Sequence, residues 1–392
     1  MRKISLAERR ARLGVRHRLA VKAATPKEAA DGVVALHATD PATVHLSVYA
    51  RTGRAGVSDV ERALYDERTL LRMLGMRRTM FVVDTEFAPV IQAACSADIA
   101  AKQRRHLAGH LGKQGYPENV PEPEAWLADV EESTAKALAA RGSATAQELS
   151  GDEPRLKQQL IMAKGKPYEA IGNVTSRVLF QLAVDGRIVR GRPRGSWLST
   201  QYHWSTVENW LPGGLTEWTA EAARVELARR WLYAYGPAPI ADLRWWTGWT
   251  GGQTKKALAA IGPVEVDLDG VTGIVLPDDL DPVPSPEPWV ALLPALDPTS
   301  MGWSERDWFL GEHRAPLFDG TGNIGPTVWS EGKIVGGWAQ RPNGEVVFRL
   351  LEDVGAGTKA AIEAETGRLA EWFGAVRVTP RFRTPLEKDQ SS

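Results

Sequence analysis

The chain has one cysteine in 392 residues, Cys95 in "IQAACSADIA". That excludes a disulfide framework and fits a reducing compartment. In this small-residue, apolar setting Cys95 reads as helix-core filler rather than a nucleophile. No run of eighteen apolar residues occurs, so no segment is built to span a bilayer. The opening "MRKISLAERRARLGVRHRLA" is basic but lacks a continuous apolar stretch, which argues against a secretory signal. Familiar catalytic signatures are also missing. There is no G-x-x-x-x-G-K-[ST] phosphate loop, no G-x-S-x-G elbow, no H-E-x-x-H and no pair of C-x-x-C motifs. The formal net charge is +0, which removes the simplest argument for a nucleic-acid binder.

What is present is an ordinary soluble composition, 43% hydrophobic and 24% charged, in a chain long enough for two to four modules. Charge is segregated. Residues 1–22 hold Arg2, Lys3, Arg9, Arg10, Arg12, Arg16, Arg18 and Lys22 against the single acid Glu8, and "GRIVRGRPRG" (186–195) has four arginines and no acid. Acids gather in "VEVDLDG" and "PDDLDP". Such separation can produce a basic face on a neutral protein, although a solvated helix face explains the N-terminal run equally well. Two proline-rich breaks, "GYPENVPEPE" (115–124) and "LPDDLDPVPSPEP" (276–288), divide the chain into 1–115, 116–276 and 289–392.

Thr25-Pro26-Lys27-Glu28 is a capping box that opens a helix through about Leu36, and Ser58 with Glu61 repeats the pattern. "TLLRMLGMRRTMFVVD" then suits a hairpin around Gly75. Three helices followed by a hairpin is the layout of a winged helix. The middle of the chain repeats it: a helix over 124–141, a short helix in "SATAQELS", a helix in "NVTSRVLFQLAVDG", and a hairpin "RIVRGRPRGSWLST". A third copy begins at Ala220 and ends in "VEVDLDGVTGIVLP". The last hundred residues predict an α+β module, with a type I′ turn at "RPNGE", a helix in "GTKAAIEAETGRLAEWFG" and a final strand "AVRVTP". The predicted class is therefore α+β: tandem winged-helix (helix-turn-helix) modules plus a C-terminal β-rich module.

One stretch stands out for chemistry. "GVVALHATDPATVHLSVYAR" (32–51) sets His37, Thr39 and Asp40 between two apolar runs. Asp40-Pro41 reads as an N-cap followed by proline at the first helical position, though Asp40 also stays open as a carboxylate for the site. His37 has an unperturbed pKa near 6.5 and could take a proton. Threonine is far too weak a base for that, but can orient a water. His106 and His110 share one helix face but lack an evident third metal ligand. "TGWTGGQTKK" has the wrong spacing for a phosphate loop and reads as a helix start. Trp245, Trp246 and Trp249 fit base stacking or, by their helical spacing, packing between modules. The arginines of the 187–194 hairpin sit where a wing would contact phosphates or a minor groove.

The chain resembles the AlkZ/YcaQ family of bacterial winged-helix DNA glycosylases. The likeness is carried by "VVALHATDPATVHLSVYAR", "LLRMLGMRRTMFVV", "LFQLAVDGRIVRGRPRGSWLST", "ARRWLYAYGPAPIADLRWWTG", "LLPALDPTSMGWSERDWFL" and "EGKIVGGWA", in that order. The resemblance implies that the winged-helix and C-terminal β-rich modules form a concave DNA-binding surface, and it implies excision of N-alkylated or bulky purines, such as N7-alkylguanines and some interstrand crosslinks, without metal or other cofactor. It implies damaged double-stranded DNA as partner, no membrane association, and a bacterial cytoplasmic, nucleoid-associated setting; a monomer is expected. The family's motif is Gln, an apolar residue, then Gln or Asp, and the matching positions here are His37, Ala38 and Thr39. Catalytic candidates are thus His37, Thr39 and Asp40. DNA-contacting candidates are Arg51, Arg77, Arg78, Arg187, Arg190, Arg192 and Arg194. The departure from the motif leaves a second reading, a non-catalytic winged-helix protein that senses lesions or regulates.

Overall fold

The order helix, helix, helix, hairpin occurs three times. It runs first through Pro26–Asp31, Pro41–Thr52, Val57–Glu61 and the strands Leu70–Leu74 and Met80–Asp84. The second pass takes Pro123–Arg141, Ala146–Asp152, Thr175–Val184 and the strands Ile188–Pro193 and Tyr202–Thr206. The third takes Ala220–Tyr235, Ile240–Thr247, Gly251–Ile261 and the strands Val264–Leu268 and Val271–Val275. Local capping sets the boundaries. The Thr25 hydroxyl accepts the amide of Glu28 with Pro26 in the first turn, and Thr145 with Glu148 and Thr250 with Gln253 form reciprocal boxes. The first helix stops at Asp31 rather than near Leu36, because Val34 turns into left-handed backbone and Leu36–His37 enters a sheet. The hairpin Gln159–Met162 with Ala170–Asn173, inserted between the second and third helices of the middle copy, has no counterpart in the sequence reading.

The computed structural model describes all residues, Met1–Ser392, and they form two compact units. The first comprises Met1–Leu71, Phe81–Asp84 and Arg224–Ser392, the second Arg72–Met80 and Thr85–Ala223. These units do not coincide with the three consecutive segments expected from the prolines. The 276–288 stretch is irregular but docked within the first unit, where Arg12 Nη1 donates to Asp279 Oδ1 at 2.8 Å and Arg12 Nη2 to the Asp281 carbonyl at 2.7 Å. Around 115–124, Gly115–Tyr116 pairs with Leu160 and Gln159, and the Val120 amide donates to the Leu111 carbonyl, all inside the second unit. Proline forbids a helix there without forbidding attachment.

Within the first unit, Val290–Leu293, Thr327–Ser330, Lys333–Gln340 and Val346–Leu350 form a four-stranded antiparallel sheet. The Gly355–Phe373 helix packs against its first and last strands. The "RPNGE" hairpin is present, but only Gly344 has positive φ, so the turn carries Pro342 and Asn343 at its centre with Gly344 following, rather than type I′. The expected strand over "AVRVTP" is an irregular strap instead. The Gln340 side chain takes the place of a ladder partner, its amide donating to the Val376 carbonyl at 3.0 Å and its oxygen accepting from the Val378 amide at 2.8 Å. Buried Trp231, Tyr235, Trp303, Phe309 and Trp329 dominate the core of this unit. That of the second unit is aliphatic, built around Leu127, Val130, Leu138, Val178 and Leu182. No helix is long and apolar enough to cross a membrane.

Candidate active site

The Leu36–His37 strand pairs antiparallel with Met80–Asp84, setting Leu36 opposite Val82 and His37 opposite Phe81. The His37 ring meets Phe81 edge-on at 5.7 Å between centroids. Phe81 in turn approaches Trp246, which belongs to the buried cluster with Trp231 and Tyr235. His37 therefore rests on an apolar floor that fixes its ring. Trp246 and Trp249 are buried in this unit, which answers the tryptophan question in favour of packing. The Thr39 amide lies 3.5 Å from His37 Nδ1. A tautomer accepting that weak contact carries its proton on Nε2, making Nε2 a donor.

Asp40 ends the knot. Its Oδ1 accepts the Ala42 amide at 3.1 Å as the N-cap of Pro41–Thr52, and its Oδ2 accepts the Arg381 amide at 3.0 Å. Both oxygens thus serve backbone donors and the side chain is buried. Arg381 Nη1 also reaches the Thr39 carbonyl at 3.4 Å, while the rest of its side chain is exposed. The strap through 376–381 therefore clasps the knot from the far end of the chain, a contact with no sequence signal. All three residues of the knot lie in the first unit.

Every residue of the Pro41–Thr52 helix is buried, and Thr43, Ser47, Arg51 and Thr52 have internal hydrogen-bond partners. Thr43 donates to the Ala295 carbonyl at 2.9 Å. Arg51, expected on DNA, is a correction: it is fully enclosed and grips Asp297 with two bonds of 2.7 and 2.8 Å. Ser47 donates to Asp297 at 2.6 Å, and Thr299 links Arg51 to His17 with contacts of 2.8 Å each. Burial alone would raise the Asp297 pKa, but Arg51, Ser47 and the Thr299 amide hold it below the ordinary value. His17, pressed between Tyr235 and Trp303, is pushed down to about 3, mainly by burial and then by Arg51. The network anchors the helix that Asp40 caps. Sequence reading missed Asp297, although "ALDPTS" repeats the Asp-Pro pattern of "ATDPAT" and Asp297 likewise caps a helical turn.

The other candidate arginines belong to the second unit. Arg77 and Arg78 occupy the tip of the Leu70–Asp84 hairpin, both in left-handed backbone. Arg77 is half-buried, which lowers its pKa to about 10, while Arg78 is exposed with its guanidinium 5.1 Å from the Phe180 ring. On the Ile188–Pro193 hairpin, Arg190 lies over Tyr202 and Trp204, and Arg187 pairs with Glu132 at 2.7 Å. Arg192 and Arg194 are exposed. His106 and His110 have ring centroids 4.1 Å apart. No group of three or more His, Cys, Asp or Glu side chains is placed to hold a metal ion.

Comparison with known proteins now bears on this geometry. Residues 30–372 match the family model described as "DNA glycosylase AlkZ-like". The chain belongs to the AlkZ-like DNA glycosylase family. The match begins seven residues before His37 and ends before the strap that holds Asp40. A curated relative, the "Interstrand DNA cross-link repair glycosylase" of Streptomyces sahachiroi, is 26% identical over 171 residues, 41% of this chain and 46% of the relative. The aligned region thus spans about half the length of that protein. The solved structure of Streptomyces sahachiroi DNA glycosylase AlkZ superposes with a TM-score of 0.73 at 21% identity, covering 97% of this chain and 99% of the other. That likeness establishes the shared fold, the mixed α+β architecture expected.

Proposed function

We propose that the protein is a monomeric bacterial glycosylase that hydrolyses the N-glycosidic bond of alkylated purines in double-stranded DNA. The lesions are N7-alkylguanines and bulky adducts, including those joined in interstrand crosslinks, and no metal takes part. The observation that carries this reading is the placing of His37 at the end of the Leu36–His37 strand and of Thr39 two residues on, just ahead of the Asp40 cap and inside the family-matching stretch. The Streptomyces sahachiroi relative's cross-link repair supports the substrate class. Its setting would be the cytoplasm, at the nucleoid.

The chemistry needs little from the protein. An N7-alkylated purine is cationic, so cleavage of the C1′–N9 bond releases a neutral base and leaves oxocarbenium character on the sugar. A water then adds its oxygen to C1′ and gives up a proton. In this reading His37 holds that water through Nε2–H, Thr39 orients it through its hydroxyl, and its proton passes to solvent. Asp40 is a positioning residue, since both its oxygens are committed to the Ala42 and Arg381 amides. Of the candidate arginines, the exposed Arg78, Arg192 and Arg194 contact DNA, whereas Arg77 is half-buried, Arg187 is engaged by Glu132 and Arg190 by the Tyr202 and Trp204 rings.

Single-turnover excision from a duplex containing N7-methylguanine tests the assignment. His37→Ala and Thr39→Ala are each expected to slow excision by about 10²-fold or more, in line with loss of a positioned hydrogen-bonding group. Unchanged rates in both variants would remove them from the site. A rate that rises with pH through the imidazole range would make His37 the base rather than the holder of the water. The second reading, a non-catalytic DNA-binding protein, is favoured by one observation: the only carboxylate in the knot has no free oxygen. It predicts salt-dependent DNA binding with no abasic product.

A further inference from the structure

The strap that follows the Gly355–Phe373 helix is regular in one respect, although it joins no sheet. Val376, Val378 and Pro380 are half-buried, while Arg377, Thr379 and Arg381 are exposed. That period of two belongs to an extended chain with one face packed down. Val378 and Pro380 share the lining of a largely apolar crevice with Asp40, Thr43 and Trp338. The strap is thus seated between the C-terminal sheet and the start of the Pro41–Thr52 helix, all within the first unit.

Two grips hold it. At one end the Gln340 side chain, itself buried, bonds to both Val376 and Val378. At the other, Arg381 touches the knot twice, with its amide on Asp40 Oδ2 and its Nη1 on the Thr39 carbonyl. One residue therefore brackets the peptide that joins Thr39 to Asp40. The Thr39 hydroxyl has no hydrogen-bond partner in the protein, and its amide makes only the 3.5 Å contact with His37 Nδ1. The direction of the Thr39 side chain is thus set by its backbone. His37 is steadied separately by the Met80–Asp84 strand and the Phe81 ring, and the helix cap by Asp40 Oδ1 on the Ala42 amide. Releasing the strap would leave those two in place and loosen Thr39.

We infer that Gln340 and Arg381 are positioning residues for excision: through the strap they fix the Thr39–Asp40 peptide, and so the line along which the Thr39 hydroxyl meets its water. This rests on the glycosylase reading given above. It adds to that reading a determinant, the strap, that lies beyond residue 372, where the family match ends.

Single-turnover excision of N7-methylguanine, followed against protein concentration, tests it. A displacement of about 1 Å at a reacting group can cost about 10²-fold in rate. Gln340→Ala alters nothing in the knot, yet it is expected to slow the rate at saturating protein by about tenfold or more. The half-saturating concentration should stay within about twofold of wild type, since DNA binding is untouched. Asp40→Asn sets an amide N–H against the Arg381 N–H while its oxygen keeps the cap, because asparagine caps a helix as well as aspartate. It should slow the same step, and the double variant should be no slower than the slower single one, because both cut one link. Gln340→Glu guards against a folding artefact: it still accepts the Val378 amide but cannot donate to Val376, so its rate should lie between wild type and Gln340→Ala, with each melting temperature above that of the assay. If wild type excises and Gln340→Ala keeps its rate, the strap is passive packing; the inference fails and the glycosylase reading stands. Losses that multiply in the double variant would make Asp40 act independently of the strap and overturn the inference. A change confined to the half-saturating concentration would make the strap a binding element instead and overturn it too. Absence of excision by wild type would overturn both readings.

Discussion

The arginines of the N-terminal helix and those of the Ile188–Pro193 hairpin are similarly dense in sequence, yet they end in different environments. Arg12 is 1% exposed and divides its guanidinium among Glu8, Asp279 and the Asp281 carbonyl. Arg16 shares Asp279 at 2.6 Å, Arg2 pairs with Glu8 at 2.8 Å, and Arg9 is half-buried against the Trp308 ring. On the hairpin, Arg187 pairs with Glu132 and Arg190 faces aromatic rings, while Arg192 and Arg194 have exposed side chains. The difference lies in segments distant in sequence: "PDDLDP" folds back onto the first run and encloses it, whereas the end of the hairpin strand stays exposed. Arginine density alone therefore does not identify a DNA-binding face. An arginine is available to DNA where the fold leaves its side chain in solvent.

The strongest way to break this contrast is at Arg51, the extreme of the internal class. Removing one partner of a fully buried ion pair leaves the other charge stranded, so Arg51→Ala should cost about 3–5 kcal/mol in urea unfolding. A loss below about 1 kcal/mol would mean that Asp297 finds solvent, and the internal role would fail. Replacing both, as Arg51→Met with Asp297→Leu, should recover much of the loss, because no stranded charge remains.

Next in size is the pH response of the same network. His17 accepts from the Thr299 hydroxyl and donates to the Ala234 carbonyl, an arrangement that needs the neutral ring. Its folded pKa of about 3 lies below the unfolded value of 6.5. The unfolded chain therefore binds the extra proton first, and the contribution is complete above pH 6.5. It declines by about 1.4 kcal/mol for each pH unit below that, until the folded pKa is reached. The lowered pKa of Asp297 acts in the same direction at still lower pH. Denaturation midpoints from pH 7 to pH 4.5 should fall in wild type and fall less in His17→Gln; parallel curves would exclude His17 as the source.

Much of this was legible in the sequence because it is local. The Thr25, Thr145 and Thr250 caps, the helix–helix–helix–hairpin order and the Asp40 cap all depend on residues within a few positions of one another. Long-range pairings were not legible. Nothing in "VYAR" announces Asp297, nothing near Asp40 announces the Arg381 amide, and the spacing of "AVRVTP" gives no hint that Gln340 would replace a strand. For the candidate site, the motif position could be read but not its clasp: Asp40 reads as cap or base until Arg381 is seen on its second oxygen.

Asp279→Ala probes the milder internal case. It removes the shared partner of Arg12 and Arg16 but leaves Arg12 bonded to Glu8 and to the Asp281 carbonyl, so the expected cost is about 1–3 kcal/mol. A neutral outcome in thermal and urea unfolding would show that the 276–288 stretch is a tether rather than a docked segment.

The smallest effect on stability, and the sharpest contrast, belongs to Arg192→Ala/Arg194→Ala. These side chains flank Pro193 where the pairing between the two strands becomes irregular, and both are exposed. Substitutions at exposed positions usually change stability by no more than about 0.5 kcal/mol. DNA affinity should respond instead, falling several-fold with a salt slope lower by about one to two. The two measurements separate the classes cleanly, because an internal arginine moves the unfolding midpoint and a DNA-facing one moves the salt slope. If the hairpin variant melted as early as Asp279→Ala while its salt slope stayed put, its arginines would be structural like those of the N-terminal helix. The wing would then have to be given up as a DNA contact.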